Sequence, residues 1–196
     1  MVDRQLRRRG IDDERVLTAM AEVPRERFLD PELGGDAYRD GAVTIAEGQT
    51  MSQPWIVARM TSLLGLRGHE RVLEVGTGSG YGAAVLSRCC AEVVTIERHS
   101  ALAERARAVL AELSYDNVEV RTGDGTLGAP DRAPFGGALV TAVAENRPPA
   151  AIAAQLEPGA ALLCPVRDAA GEFLTRFRDG QEERVVAVRF VPLVSD

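Results

Sequence analysis

Lysine is absent: each of the 23 basic residues in this 196-residue chain is an arginine. That excludes Schiff-base chemistry on a lysine amine and the phosphate-gripping lysine of a P-loop. Cysteine is scarce, with only Cys89, Cys90 and Cys164. The spacing suits no metal site, and the adjacent pair cannot easily bridge each other, so a reduced, cytoplasmic protein without a metal centre is expected. No apolar run approaches the length needed to span a bilayer, and no signal-peptide pattern opens the chain, so no membrane partner is expected. An excess of positive charge is missing too. The net charge of -6 argues against a nucleic-acid partner gripped through its phosphates. The local basic run Arg7-Arg8-Arg9 reads as a solvated helix face. Repeats and low-complexity linkers are lacking, and 45% hydrophobic residues suffice for one core, so a single domain over 1–196 is expected.

What is present falls into two halves. Residues 1–9 have a helical pattern stopped by Gly10, and Asp12 or Asp13 caps a second helix that carries Val16, Leu17 and Met20 and ends at Pro24. Residues 42–51 mix β-formers with a glycine turn. Ser52 then reads as the cap of a strong helix with Pro54 in its first turn and Ile56, Val57, Met60, Leu63 and Leu64 on one face. After Gly68 the pattern alternates. Strands are expected at 71–75, 92–97, 118–122, 137–143 and 160–166, with helices at about 80–90, 100–113 and 147–156. Alternation means a Rossmann-like, doubly wound and mostly parallel α/β sheet. The tail, Phe173–Arg178 and Glu183–Val191 around Asp179-Gly180, reads as an antiparallel hairpin at the sheet edge. The expected architecture is an N-terminal helical cap (1–66) on a doubly wound core (67–196).

The chemistry gathers at Arg71-Val72-Leu73-Glu74-Val75-Gly76-Thr77-Gly78-Ser79-Gly80-Tyr81. A strand runs into three alternate glycines and then a helix start, where backbone N–H groups are open to a ligand and no Cβ blocks its approach. The spacing is G-x-G-x-G, whereas a dinucleotide site has G-x-G-x-x-G. Glu74, two residues before the first glycine, disfavours a pyrophosphate and suits a ligand with a cationic part. Strand two ends at Glu97, about 20 residues beyond the turn, where a carboxylate can accept both hydroxyls of a ribose. Strand three ends at Asp124-Gly125, where a carboxylate can accept from an adenine amino group. A nicotinamide dehydrogenase would share the acidic residue after strand two, but would want neither Glu74 nor a third acidic site.

The segment E-x-G-x-G-x-G resembles motif I of the S-adenosylmethionine-dependent methyltransferases, whose cofactor carries an ammonium and a sulfonium. Residues 47–58, Glu-Gly-Gln-Thr-Met-Ser-Gln-Pro-Trp-Ile-Val-Ala, look like the E-G-Q-T-I-S-Q-P-Y-I-V-A segment of protein-L-isoaspartate O-methyltransferases. Leu73–Tyr81, Thr95-Ile96-Glu97-Arg98, Tyr115–Val118, Gly123-Asp124-Gly125, Arg9–Leu17 and Val188–Leu193 are similar to that family as well, so the likeness covers nearly the whole chain. It implies methyl transfer from S-adenosylmethionine to the free α-carboxylate of an L-isoaspartyl residue in damaged protein. By motif match, Thr50, Met51, Ser52 and Gln53 would bind the substrate, with Ser52 the catalytic residue. Glu74, Gly76, Thr77, Gly78, Ser79, Gly80, Glu97, Arg98, Asp124 and Gly125 would bind the cofactor. A carboxylate is ionised at neutral pH, so alignment and exclusion of water suffice and no general base is required. That suits a chain with only His69 and His99. His69 is expected in solvent, and His99 either beside the adenine or on the surface.

Two stretches depart from the family pattern. Arg167 replaces the first glycine of the P-V-G-x-x-G loop after strand five. Around strand four, Gly136 stands where the family has an aspartate, and Glu145 where it has a proline. Both departures are expected on the substrate face, with the cofactor motifs spared. An isoaspartyl repair enzyme, a relative methylating another carboxylate of a peptide or metabolite, and a non-catalytic cofactor-binding partner protein therefore remain as readings. Ser52 favours the first over the third.

Overall fold

Strand β3 (Arg71–Val75) is buried along almost its whole length, as expected of a run of apolar residues at the centre of a parallel sheet. In this computed structural model, which describes residues 1–195, the strands flank it in the order β10-β9-β8-β6-β3-β4-β5. Ahead of it come α1 (Glu14–Glu22), a two-residue ladder of β1 (Val43–Thr44) with β2 (Thr50–Met51), and α2 (Pro54–Leu64). After it follow α3 (Tyr81–Ser87), β4 (Glu92–Glu97), α4 (Ser100–Glu112), β5 (Val118–Thr122), β6 (Phe135–Val140), β7 (Ala144–Glu145), α5 (Ala150–Ala153), β8 (Leu156–Asp168), β9 (Gly171–Arg178) and β10 (Gln181–Ala187).

Strands β5, β4, β3, β6 and β8 pair in parallel, and β8, β9 and β10 continue antiparallel. Strand β3 has β4 on one side and β6 on the other. The winding reverses there, so a crevice opens beyond the carboxyl ends of β3 and β6. The expected doubly wound sheet with its N-terminal helical cap and C-terminal antiparallel hairpin is therefore the observed one. Asp179 and Gly180 both have positive φ, as the tight turn between β9 and β10 requires.

Local chemistry explains the elements around the crevice. Asp13 is the cap of α1 and accepts from the backbone N–H of Arg15 at 3.0 Å and of Val16 at 3.2 Å. Helix α2 starts on Pro54, whose missing N–H costs nothing in a first turn, and stops at left-handed Gly65. Helices α1, α3 and α4 share one apolar cluster with Leu6, Ile11 and Phe28, while Ile152 of α5 packs with Leu73, Val75, Val94 and Ile96.

Several expectations need correction. Ser52 is not the helix cap: Gln53 occupies that position, with no side-chain cap hydrogen bond, because Pro54 takes the first helical position. The helix expected over 147–156 is only Ala150–Ala153, since Pro148-Pro149 precede it and Leu156 already pairs with Phe135 in the sheet. Strand four runs 135–140 rather than 137–143, and beyond it Val143 pairs with Val191 and Pro192. The last strand ends at Ala187, and Phe190 and Val191 leave the sheet edge for the crevice. Residues 2–9 form two short non-α turns, Val2–Leu6 and Arg7–Arg9, stopped by left-handed Gly10.

Candidate active site

The floor of the crevice is the glycine turn. Gly76 has φ +95°, and a β-carbon there would lie 2.2 Å from Thr141 Oγ1. That hydroxyl sits at the end of β6 and donates to the carbonyls of Gly76 at 2.8 Å and Val75 at 3.0 Å. The Gly76 N–H donates to Ile96 O at 2.8 Å. Three neighbouring strands thus fix the first residue of the turn. Gly78 also has positive φ, and its N–H donates to Glu97 Oε2 at 2.8 Å. The other oxygen of Glu97 accepts from His99 N at 3.1 Å. Glu97 therefore braces the turn from the end of β4 while it lines the cavity.

Glu74 is buried and also lines the cavity. Thr95 Oγ1 donates to its Oε2 at 2.7 Å, and Thr77 Oγ1 lies 2.6 Å from the Thr95 hydroxyl. Burial, helped by the nearby Glu97 charge and opposed by the Thr95 hydrogen bond, raises the Glu74 carboxyl to about 8. At neutral pH it is mostly protonated until a cation approaches. Gly82, on the first turn of α3, leaves it room: a β-carbon there would stand 2.5 Å from Glu74 Oε1.

The opposite wall comes from the N-terminal half. Gln49, Thr50, Met51 and Ser52 line the same cavity, as do Thr77, Ser79, Arg98, His99 and Gly125. The Thr50 and Ser52 hydroxyls make no hydrogen bond within the described residues, so both are available to a ligand. Glu47, in the left-handed region at φ 57°, reaches His99 Nδ1 at 3.9 Å across the mouth. His69, as expected, is exposed.

Three candidate residues stand off the cavity wall. Gln53 turns away and donates to Asp40 Oδ1 at 2.5 Å. Gly80 opens α3, where a β-carbon would lie 3.2 Å from the Ala106 methyl, so its role is close helix packing. The Asp124 carboxylate accepts from Thr126 N at 2.8 Å and Thr126 Oγ1 at 2.7 Å, capping the turn of Gly125–Leu127. Other lining residues escaped the sequence reading. Tyr81 and Gly82 follow the motif directly. Thr141-Ala142 lie between the two departures around strand four, and 190–193 lie in a stretch similar to the family, but no role was attached to either. Leu193 N donates to Val143 O and Val143 N to Val191 O, both at 2.8 Å, which pins that segment beside the end of β6.

The departures from the family pattern lie elsewhere. Gly136 is at the amino end of β6, opposite the crevice, where a β-carbon would meet Glu70 at 2.8 Å. Arg167 pairs with Glu145 at 2.8 Å and with Glu172 at 3.1 Å. The two unusual charges satisfy each other, and neither lines the cavity.

A doubly wound sheet whose switch-point crevice has a glycine turn, a buried carboxyl for a cation and a second carboxylate at the end of β4 defines a class I S-adenosylmethionine-dependent methyltransferase. A family model described as Protein-L-isoaspartate(D-aspartate) O-methyltransferase (PCMT) matches residues 1–196. The chain belongs to that family. It is 51% identical over 198 residues to the protein-L-isoaspartate O-methyltransferase of Methanoregula boonei, covering 99% of this chain and 91% of that protein. It is 49% identical to the one from Pelotomaculum thermopropionicum, covering 100% of this chain and 87% of that protein. Among solved structures, a protein-L-isoaspartate O-methyltransferase superposes with a TM-score of 0.84 at 28% identity, covering 95% of this chain and 62% of that one. A Plasmodium falciparum protein described as a protein-L-isoaspartate O-methyltransferase in complex with S-adenosyl-L-homocysteine shares the fold, with a TM-score of 0.82 at 23% identity, covering 97% of this chain and 95% of that one.

Proposed function

We propose that this protein transfers the methyl group of S-adenosylmethionine to the free α-carboxylate of L-isoaspartyl residues in proteins or peptides. The observation that carries this reading is the meeting, in one cavity, of the Thr50-Met51-Ser52 segment with the glycine turn and its two carboxyl side chains. The residues fit the cofactor. Gly76 and Gly82 make room for the Thr141 hydroxyl and the Glu74 carboxyl at the floor of the cavity, and Glu74 is a buried acid that a cationic group would ionise. Glu97 and Gly125 are the residues that would hold the nucleoside, with Arg98 and His99 beside it, while Asp124 shapes the Gly125 turn from behind.

The cofactor, when bound, supplies an electrophilic methyl on sulfur. The chain's own part is to hold the acceptor. Ser52 and Thr50 present hydroxyls that donate to the carboxylate and orient one of its oxygens. Met51, almost fully buried, and Val57 give that wall an apolar surface that sheds water. No base is needed, because a carboxylate with a pKa near 4 arrives ionised. Arg167, Glu145 and Gly136, the positions that left a different carboxylate open as the acceptor, do not line the cavity that Ser52 faces. Among the described residues no helix is long and apolar enough to cross a membrane, which fits a protein or peptide partner met in water.

The test is a matched pair of peptides, one with isoaspartate and one with aspartate, incubated with methyl-labelled cofactor. Label in the isoaspartyl peptide alone is expected. Label in both or in neither refutes the assignment. Ser52→Ala is expected to keep cofactor affinity within about twofold and lose roughly 100-fold in turnover, the scale of a lost oriented donor.

A further inference from the structure

Arg25 is fully buried, although it lies just beyond α1 and outside every glycine motif. Among the described residues no carboxylate lies within ion-pair distance of it. Its Nε donates to Ala37 O and its Nη2 to Ser52 O, both at 2.6 Å, and its Nη1 has no partner. The guanidinium also stacks over the Tyr81 ring at 4.6 Å. The Tyr81 hydroxyl reaches Met20 Sδ at 3.5 Å, and burial holds the phenol up at about 12, so Tyr81 is neutral at pH 7 and does not cancel the charge. The nearest acid in sequence, Glu26, is taken by the Tyr38 hydroxyl.

A buried cation without an anion is costly, by several kcal/mol. Carbonyl acceptors and an aromatic face offset part of that cost. They leave the positive charge in place, one residue's width from the cavity wall, because the atom that Nη2 grips is the backbone oxygen of Ser52 and the ring below it, Tyr81, lines the cavity. In a low-dielectric interior such a charge acts over several ångströms. An anion seated against Ser52 would be its missing counter-charge.

We infer that Arg25 is a positioning residue with two effects: it fixes the Ser52 backbone, and it supplies the fixed positive charge that makes the site select a carboxylate over its neutral counterpart. This rests on the acceptor being the isoaspartyl carboxylate proposed above. Burial disfavours charge on Arg25, so the anion stabilises Arg25 as much as Arg25 binds the anion.

The experiment compares two peptides that differ only at the isoaspartyl α-carbon, one with the free carboxylate and one with the α-carboxamide. Binding of each is measured in the presence of S-adenosylhomocysteine, for the unaltered protein, Arg25→Gln and Arg25→Lys. The unaltered protein is expected to prefer the carboxylate by more than tenfold. Arg25→Gln, which keeps a donor for Ser52 O but no charge, is expected to lose most of that preference while S-adenosylhomocysteine affinity stays within about twofold. Arg25→Lys is expected to keep the preference but to bind both peptides several-fold more weakly, because one ammonium cannot span Ala37 and Ser52. A loop-propping role alone would weaken both peptides in parallel in Arg25→Gln and leave their ratio intact, and that result overturns the inference. If Arg25→Gln does not fold, Arg25→Lys decides: loss of the preference, or unaltered peptide binding, overturns it. If the unaltered protein methylates no isoaspartyl peptide, the functional assignment fails, a result separate from an active protein whose preference is independent of Arg25.

Discussion

Gly76 ties conformation and space together. Its φ of +95° disfavours any side chain, and Thr141 Oγ1 already fills the spot a β-carbon would take. Gly76→Ala is therefore expected to cost at least 2 kcal/mol in stability, from the left-handed backbone and the displaced hydroxyl together. It is also expected to abolish measurable cofactor binding; chemical denaturation and calorimetry check the two. Glu74 acts through its proton. The native carboxyl holds it up to about pH 8, against an ordinary value of 4.5. The folded state thus binds the extra proton between those values, and stability falls as pH rises through that window, by up to about 1.4 kcal/mol per unit. Glu74→Gln is expected to flatten that slope. A cationic ligand favours the ionised form, so cofactor binding near pH 7 is expected to release a proton. Calorimetry in buffers of different ionisation enthalpy reads this release, and a value of zero would contradict the role given to Glu74.

Among the elements, α1 is the simplest to test. Asp13 caps it through two backbone N–H groups and has no contact with the cavity. Asp13→Ala is expected to lower stability by about 1 kcal/mol and Tm by about 2–4 °C, without altering kcat. Elements with strong local signals were legible in the sequence. Strands β3, β4 and β5 fall at the expected residues, β3 and β4 as largely apolar runs and β5 as an alternating one, each between turn signals. Helix α2 was also legible, since Pro54 and Gly65 mark both its ends. What was not legible depends on distant partners. The Ala150–Ala154 run has good helix formers, yet pairing of Leu156 with Phe135 claims its continuation for the sheet. Ser52 has a capping side chain, yet Pro54 fixes the cap one residue later. At the site, Glu74 and Glu97 were visible from spacing along single strands. Thr141 and Arg25 were not, because their importance lies in contacts with Gly76, across 65 residues, and with Ser52, across 27 residues.

On the scale of the whole molecule, the cavity joins three remote parts of the chain: 49–52, the turn and strand ends of 74–142, and 190–194. A ligand seated there ties all three, so the stability of the fold and occupancy of the site are linked. Cofactor or S-adenosylhomocysteine at about 100 times its Kd is expected to add about 2.7 kcal/mol and to raise Tm by roughly 5–10 °C. Glu97→Ala, which frees the Gly78 and His99 N–H groups, is expected to lose most of that rise at equal ligand concentration. Thermal melts with and without ligand are sufficient to show it.

The pinning of residues 191 and 193 beside Val143 bears on how the protein is made as well as on how it binds. Synthesis delivers the glycine turn more than 100 residues ahead of 190–194, the last wall of its cavity. A nascent chain therefore carries the motif without the pocket, and first becomes able to hold a nucleoside when the tail returns across the sheet.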